Sequence, residues 1–131
     1  MTEQHGTVRL QSSLARVRGM GSAKGGTHHW WMQRVTSIAL LPLMLWFILS
    51  AASLAGASYA ETVAWIGRPW NAVLLLASIG LAFHHTAAGM QVILEDYARP
   101  EWVKLAGVLA VKAICLLLAL ASALAVLRIA V

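Results

Sequence analysis

The sequence predicts an all-α membrane protein with three transmembrane helices behind a mobile cytoplasmic N-terminal arm. Three observations predict it. Of 131 residues, 60% are hydrophobic and 11% charged, whereas an average soluble domain carries about 25% charged residues. The charges are gathered between long uncharged runs. Those runs have the length a bilayer demands, roughly 20 residues for a hydrocarbon core of about 30 Å. A soluble enzyme is therefore excluded.

The arm comes first, over residues 1–34. It is polar, rich in Gly and Ser, and holds Arg9, Arg16, Arg18, Lys24 and Arg34 against the single acid Glu3, a balance suited to a membrane surface. The remaining unit, 35–131, is the bundle. Val35 to Ala60 is free of charge, and the first span is expected over 35–57. Ser58-Tyr59-Ala60 imitates a signal cleavage site, but a signal has a short basic head and an apolar region of about 7–15 residues. Here the head is too long, so the segment is expected to stay in the protein. The second span is expected over 70–97, headed by Trp65 and Trp70 as interfacial aromatics and stopped by Pro100. The third, over 103–127, follows Trp102 and is broken only by Lys112, whose ammonium is expected to snorkel.

Orientation follows from the basic residues. With three spans, Arg9, Arg16, Arg18, Lys24, Arg34, Arg99, Lys104 and Lys112 fall on one side and Arg68 and Arg128 on the other. Eight against two predicts that the N-terminus and the Arg99 loop lie in the cytoplasm. The net charge of +5 needs no nucleic acid to explain it, because the basic residues are scattered and no aromatics interleave with them. The single cysteine, Cys115, forbids an internal disulfide and reads as a buried, inert thiol.

Chemistry concentrates in the second span, at Phe83-His84-His85-Thr86-Ala87-Ala88-Gly89-Met90-Gln91. Ionisable residues at bilayer depth are rare and usually face a site inside the bundle; an ordinary hydrogen-bonded core histidine is the alternative. At about 100° per residue, His85, Gly89, Val92 and Asp96 share a stripe and His84 points away. An imidazole followed one turn later by a residue without a side chain suits a flat macrocycle with a histidine on its iron. Adjacent residues of one helix cannot clamp one iron, and the expected spans one and three hold no histidine. A six-coordinate haem would then take its second ligand from another chain. Toward the cytoplasmic end stands Leu94-Glu95-Asp96-Tyr97-Ala98-Arg99-Pro100, with Tyr97 about 18 Å from His85 along the axis. Read alone, Tyr97 is also explained as a belt aromatic, and Glu95 and Asp96 as a solvated helix end.

The chain resembles the hydrophobic membrane anchor subunits of succinate dehydrogenase. The resemblance covers about residues 26–130 and is carried by His28-His29-Trp30-Trp31-Met32-Gln33-Arg34-Val35-Thr36, by His85 with Gly89-Met90-Gln91-Val92, and by Glu95-Asp96-Tyr97. It implies that His85 is an axial ligand of the iron of haem b, a group shared with a partner cytochrome b subunit, and that Gly89 admits the ring. It implies that Tyr97 hydrogen-bonds a ubiquinone carbonyl with Asp96 beside it, and that Arg34 lies near the haem propionates or the quinone. His28, His29, Trp30 and Trp31 stay unassigned, contact with an iron–sulfur subunit being one alternative. His84 departs from the family's single histidine, and the spacing to Gly89 and Tyr97 selects His85. The resemblance further implies a non-catalytic subunit of a complex with flavoprotein and iron–sulfur partners, passing electrons from succinate to quinone. The flavin and clusters belong elsewhere, since one cysteine cannot supply the four ligands of a cluster and no Gly-rich dinucleotide fingerprint is present. A fumarate reductase anchor, and in a different class a small oligomeric proton-coupled transporter, are the alternatives.

Overall fold

The computed structural model describes residues 25–131 together with Leu14. The arm expected over 1–34 therefore lies largely outside the described residues. Four helices follow in order: α1 (Gly26–Ser53), α2 (Tyr59–Ile66), α3 (Pro69–Tyr97) and α4 (Glu101–Ala130). α1, α3 and α4 are long and apolar enough to cross a membrane. In lipid a backbone amide has no water to bond, so a spanning segment satisfies its amides within itself, and a helix does that for all but its ends.

α1 starts at Gly26, nine residues before the expected span. Hydropathy draws its boundary at the charge of Arg34, but helix propagation needs only a bond per added residue. Trp30 and Trp31 stack with centroids 6.2 Å apart, and the Arg34 guanidinium lies 4.4 Å over the Trp30 ring, so the first turns have their own side-chain support. Pro42 lies inside the helix and leaves the Ile38 carbonyl without its usual amide donor.

A turn at Leu54–Gly56, with Gly56 at φ 85°, ends α1 and leads into α2, which the sequence reading did not anticipate. Ser58-Tyr59-Ala60 is its start. The Ser58 hydroxyl accepts from the Glu61 amide at 3.3 Å, and the Glu61 carboxylate accepts from the Ser58 amide at 2.7 Å, a reciprocal cap. The Ser58 amide and hydroxyl together hold the Glu61 carboxyl below the usual carboxylate range. Trp65 of α2 stacks on Trp46 of α1, centroids 5.7 Å apart, and tucks the connection beneath the bundle.

α3 is the central helix. It packs against each of the other three, whereas α1 and α4 make no packed pair with one another. Pro69 at its first position needs no amide partner, and Asn71 donates to the Trp65 carbonyl at 2.7 Å, fixing its start on the end of α2. The core sits at that end: Ala72 and Leu75 of α3 meet Val126 of α4, walled by Trp46, Trp65 and Ile66. Toward the other end Gly107 lets α4 approach α3, since a Cβ there would stand 3.3 Å from the Leu94 methyls. Large apolar side chains such as Leu41, Leu49, Leu105, Leu117 and Leu124 point outward and are exposed, the surface expected where lipid is the solvent.

Small residues rather than apolar area hold such a bundle together. Gly107→Leu should therefore weaken it by about 1–3 kcal/mol, the usual cost of overpacking a close contact. A lowered midpoint in a denaturing-detergent titration checks this, with Ala106→Leu on the exposed side leaving the midpoint in place.

Candidate functional site

The two adjacent histidines of α3 face different neighbours. His84 is exposed and His85 half-buried. His85 turns to α1, where its Nδ1 lies 3.0 Å from the Thr36 hydroxyl and its Nε2 lies 3.4 Å from Nε2 of Gln33. Thr36 is 3% exposed. Its one hydroxyl proton is directed back along α1, to the Met32 carbonyl at 2.8 Å and the Gln33 carbonyl at 3.1 Å. The oxygen is then left to accept, and the proton between Thr36 and His85 belongs to His85 Nδ1. Such an imidazole carries its lone pair on Nε2.

A histidine that ligates a metal almost always donates its other ring N–H to a supporting acceptor, which fixes tautomer and orientation. Thr36 does this for His85. Only Gln33 stands at the Nε2 lone pair, and it is poorly held: its Oε1 is buried with no hydrogen-bond partner among the described residues, and its contact to His85 is long. The same amide lies over Gly89, where a Cβ would stand 3.3 Å from Gln33 Nε2. The stripe expected from the sequence is thus covered by α1 at His85 and Gly89, and it is exposed farther along at Val92 and Asp96. The Nε2 lone pair of His85 and the bare backbone of Gly89 suit a flat group with an iron, and the Gln33 side chain lies over both. Gln33 and Thr36 carried a sequence signal, two polar residues one turn apart at the head of an apolar span.

α1 contains His28 and His29, which corrects the expectation that the first spanning helix holds no histidine. Neither meets His85. His29 precedes Thr36 by seven residues, about 10 Å of axis, and the hydrogen-bond contacts of His85 are to Gln33 and Thr36. Both instead line a cleft with His84 and Lys112. Tyr97, the last residue of α3, is 83% exposed, and Asp96 beside it is exposed. Arg34 is engaged with Trp30. The structure brings His85 and Gly89 together with Gln33 and Thr36, and leaves Tyr97 and Asp96 at an open end of the bundle.

The Succinate dehydrogenase/Fumarate reductase transmembrane subunit family matches residues 8–119. The chain belongs to this family. Among its relatives, a succinate dehydrogenase hydrophobic membrane anchor subunit of Rickettsia bellii is 30% identical over 106 residues, 81% of this chain and 85% of the relative. The subunit of the same name from Rickettsia conorii is 33% identical over 89 residues, 67% and 71% of the two chains. That of Paracoccus denitrificans is 31% identical over 81 residues, 62% and 63%. No solved structure matches the chain. The matched region holds the whole of α1, α2 and α3, and with them every site residue discussed above.

The hydrogen bond from His85 is testable in this succinate dehydrogenase/fumarate reductase family member without any cofactor. Histidine nitrogen NMR on the chain purified without ligands should show a proton on His85 Nδ1. Thr36→Val keeps the shape and removes the acceptor, so the His85 signals should move toward a mixture of tautomers; unchanged signals would place the proton elsewhere.

Proposed function

We propose that this chain is the hydrophobic anchor subunit of a succinate:quinone oxidoreductase, sharing a b-type haem with a partner cytochrome b subunit and forming part of the wall of a quinone site. The observation that carries the reading is His85, with its Nδ1 proton given to Thr36 and its Nε2 pointed at a space that only a loosely held glutamine fills. The relatives described above, all succinate dehydrogenase anchor subunits, favour oxidation of succinate over a fumarate reductase role and over a transporter. A family whose name specifies a transmembrane subunit supports assembly with iron–sulfur and flavoprotein subunits. The basic residues at the Tyr97 end of the bundle support a cytoplasmic or matrix location for that end.

In this reading each residue has a physical task. The Thr36 hydroxyl sets the ring angle of His85 and turns its Nε2 outward as the ligating atom. Gly89 leaves room for a ring edge against the helix. When bound, a haem would supply a one-electron redox centre beside the quinone region. His85 would hold the iron from this chain, and the partner cytochrome b subunit would supply the second ligand. Arg34, near the same end, can hold a carboxylate in a bidentate pair if it leaves Trp30. Tyr97, exposed at the end of α3, donates its hydroxyl to a quinone carbonyl, and Asp96 bounds that pocket. Charge that develops on the quinone oxygen during reduction strengthens the bond from Tyr97. Catalysis of succinate oxidation lies in the soluble partners, and this chain holds no catalytic residue for it.

Replacing His85 by Gln should abolish or strongly shift the b-type spectrum of the purified complex, whereas His84→Gln should leave it largely intact. Equal loss from the two variants would show that the wrong imidazole has been chosen, and an alkaline-pyridine assay with no b-type spectrum in the unaltered complex would remove the haem altogether.

Tyr97→Phe removes one hydroxyl some 18 Å from His85 along the helix. Haem content and dye-linked succinate oxidation should persist while quinone reduction falls by several-fold. A lost hydrogen bond is worth about 0.5–1.5 kcal/mol, and about 1.36 kcal/mol is tenfold in rate. Quinone reduction at the unaltered rate would make Tyr97 an interfacial anchor only.

A further inference from the structure

Lys112 is the single charged residue of α4 between Lys104 and Arg128. It stands eleven residues beyond Glu101, about 16 Å down the helix axis, where an ammonium is costly unless something answers it. Nothing acidic does so among the described residues; the ion pair of α4 joins Lys104 to Glu101 at 3.3 Å. Lys112 instead borders two adjoining cavities of about 310 Å³ each, which share His84, Ala87 and Lys112 as walls.

The cavities differ in character. The one nearer the start of α1 is lined by His28, His29 and Gln91, and the other by Phe83, Cys115, Leu116 and Ala119. Neither wall contains a carboxylate. The cleft thus has a head of ring N–H groups, an amide and an ammonium, and an apolar tail. It opens because α1 and α4 flank α3 without packing on each other. Side chains of a helix lean toward its N-terminus, and on α4 that is the direction of the His28 and His29 end of the cleft, which Lys112 lines. His29, which lines the head of the cleft, has its Nε2 buried with no partner among the described residues.

We propose that this cleft binds one anionic phospholipid, its phosphate received by Lys112 and the imidazoles of His28 and His29, and an acyl chain laid along Phe83, Cys115 and Leu116. A carboxylate from a partner helix would answer the charge of Lys112 and leave the apolar half unexplained. Inorganic phosphate would leave it unexplained too. The cleft explains His84, which the reading of His85 does not use, as part of its wall. The proposal rests on the membrane setting of the proposed function and not on haem or quinone.

The test counts lipid on the complex purified in mild detergent, by native mass spectrometry through a delipidating wash. The unaltered complex should keep one anionic phospholipid per copy after phosphatidylcholine has been stripped. Lys112→Met should weaken that retention about tenfold or more, the scale of a lost charge-assisted bond, and Lys112→Arg should preserve it. Phosphatidylglycerol added to phosphatidylcholine discs should raise the thermal midpoint of the unaltered complex and not of Lys112→Met, with haem content equal in both. Equal lipid retention by the unaltered and Lys112→Met complexes would overturn the proposal. So would equal retention of phosphatidylcholine, or the same thermal protection from inorganic phosphate alone. Loss of the partner subunits from Lys112→Met would assign Lys112 to a protein carboxylate and overturn it equally. Loss of haem from His85→Gln with lipid retained would separate the two sites.

Discussion

Everything in this bundle follows from the scarcity of water around it. A buried amide or hydroxyl in hydrocarbon must find its partner within the protein, so the backbone coils into helices and polar side chains turn back onto them. Ser37 donates to the Gln33 carbonyl at 2.8 Å and Ser78 to the Leu74 carbonyl at 2.7 Å, each one turn back. Thr36 does the same toward Met32, and this local bond has a consequence beyond α1. Once its proton is committed to the backbone, its oxygen can only accept, and the imidazole opposite must donate. The tautomer of His85 is therefore set from another helix by a residue with no charge and no redox chemistry.

The packing order supports that arrangement. α3 is held at its start by Asn71 on Trp65 and by the cluster of Ala72, Leu75 and Val126, so the end far from Tyr97 is the anchored one. The Tyr97 end is open by contrast, with Val92, Asp96 and Tyr97 exposed. In the proposed function this polarity leaves the Tyr97 end to partner subunits, while the chain's own core closes the remote end. Gln33 marks the same principle at smaller scale. Its amide lies on Gly89 and on His85 Nε2 without satisfying its own oxygen, an expensive way to fill a space unless something better held replaces it.

The two histidines show how one residue step divides function in a helix. A rotation of about 100° sends His85 to α1 and His84 to the cleft beside Lys112, so the two faces of α3 serve different surroundings. Lys112 gains its setting in the same way. The charge alone predicts snorkelling; the cleft that Lys112 lines together with three imidazoles and an amide comes from the positions at which α1 and α4 flank α3.

Three spans, their charged ends and the separation of His85 from His84 were determined by the sequence alone, because hydropathy, charge and helical periodicity are local properties that each segment carries with it. The family likeness was legible too, since the spacing from His85 through Gly89 to Tyr97 lies within one helix. Helix starts were less legible: α1 begins at Gly26, upstream of the charge that marks the apolar run, and α2 hides its serine cap in a stretch that imitates a cleavage site. What only the tertiary structure decided is which faces meet. Apolar residues surround all three long helices, leaving no amphipathic stripe to say that α1 would bring Gln33 and Thr36 to His85, or that His28, His29 and Lys112 would share a cleft. Those pairings arise from close packing between helices, a property of shapes in contact that no single segment contains.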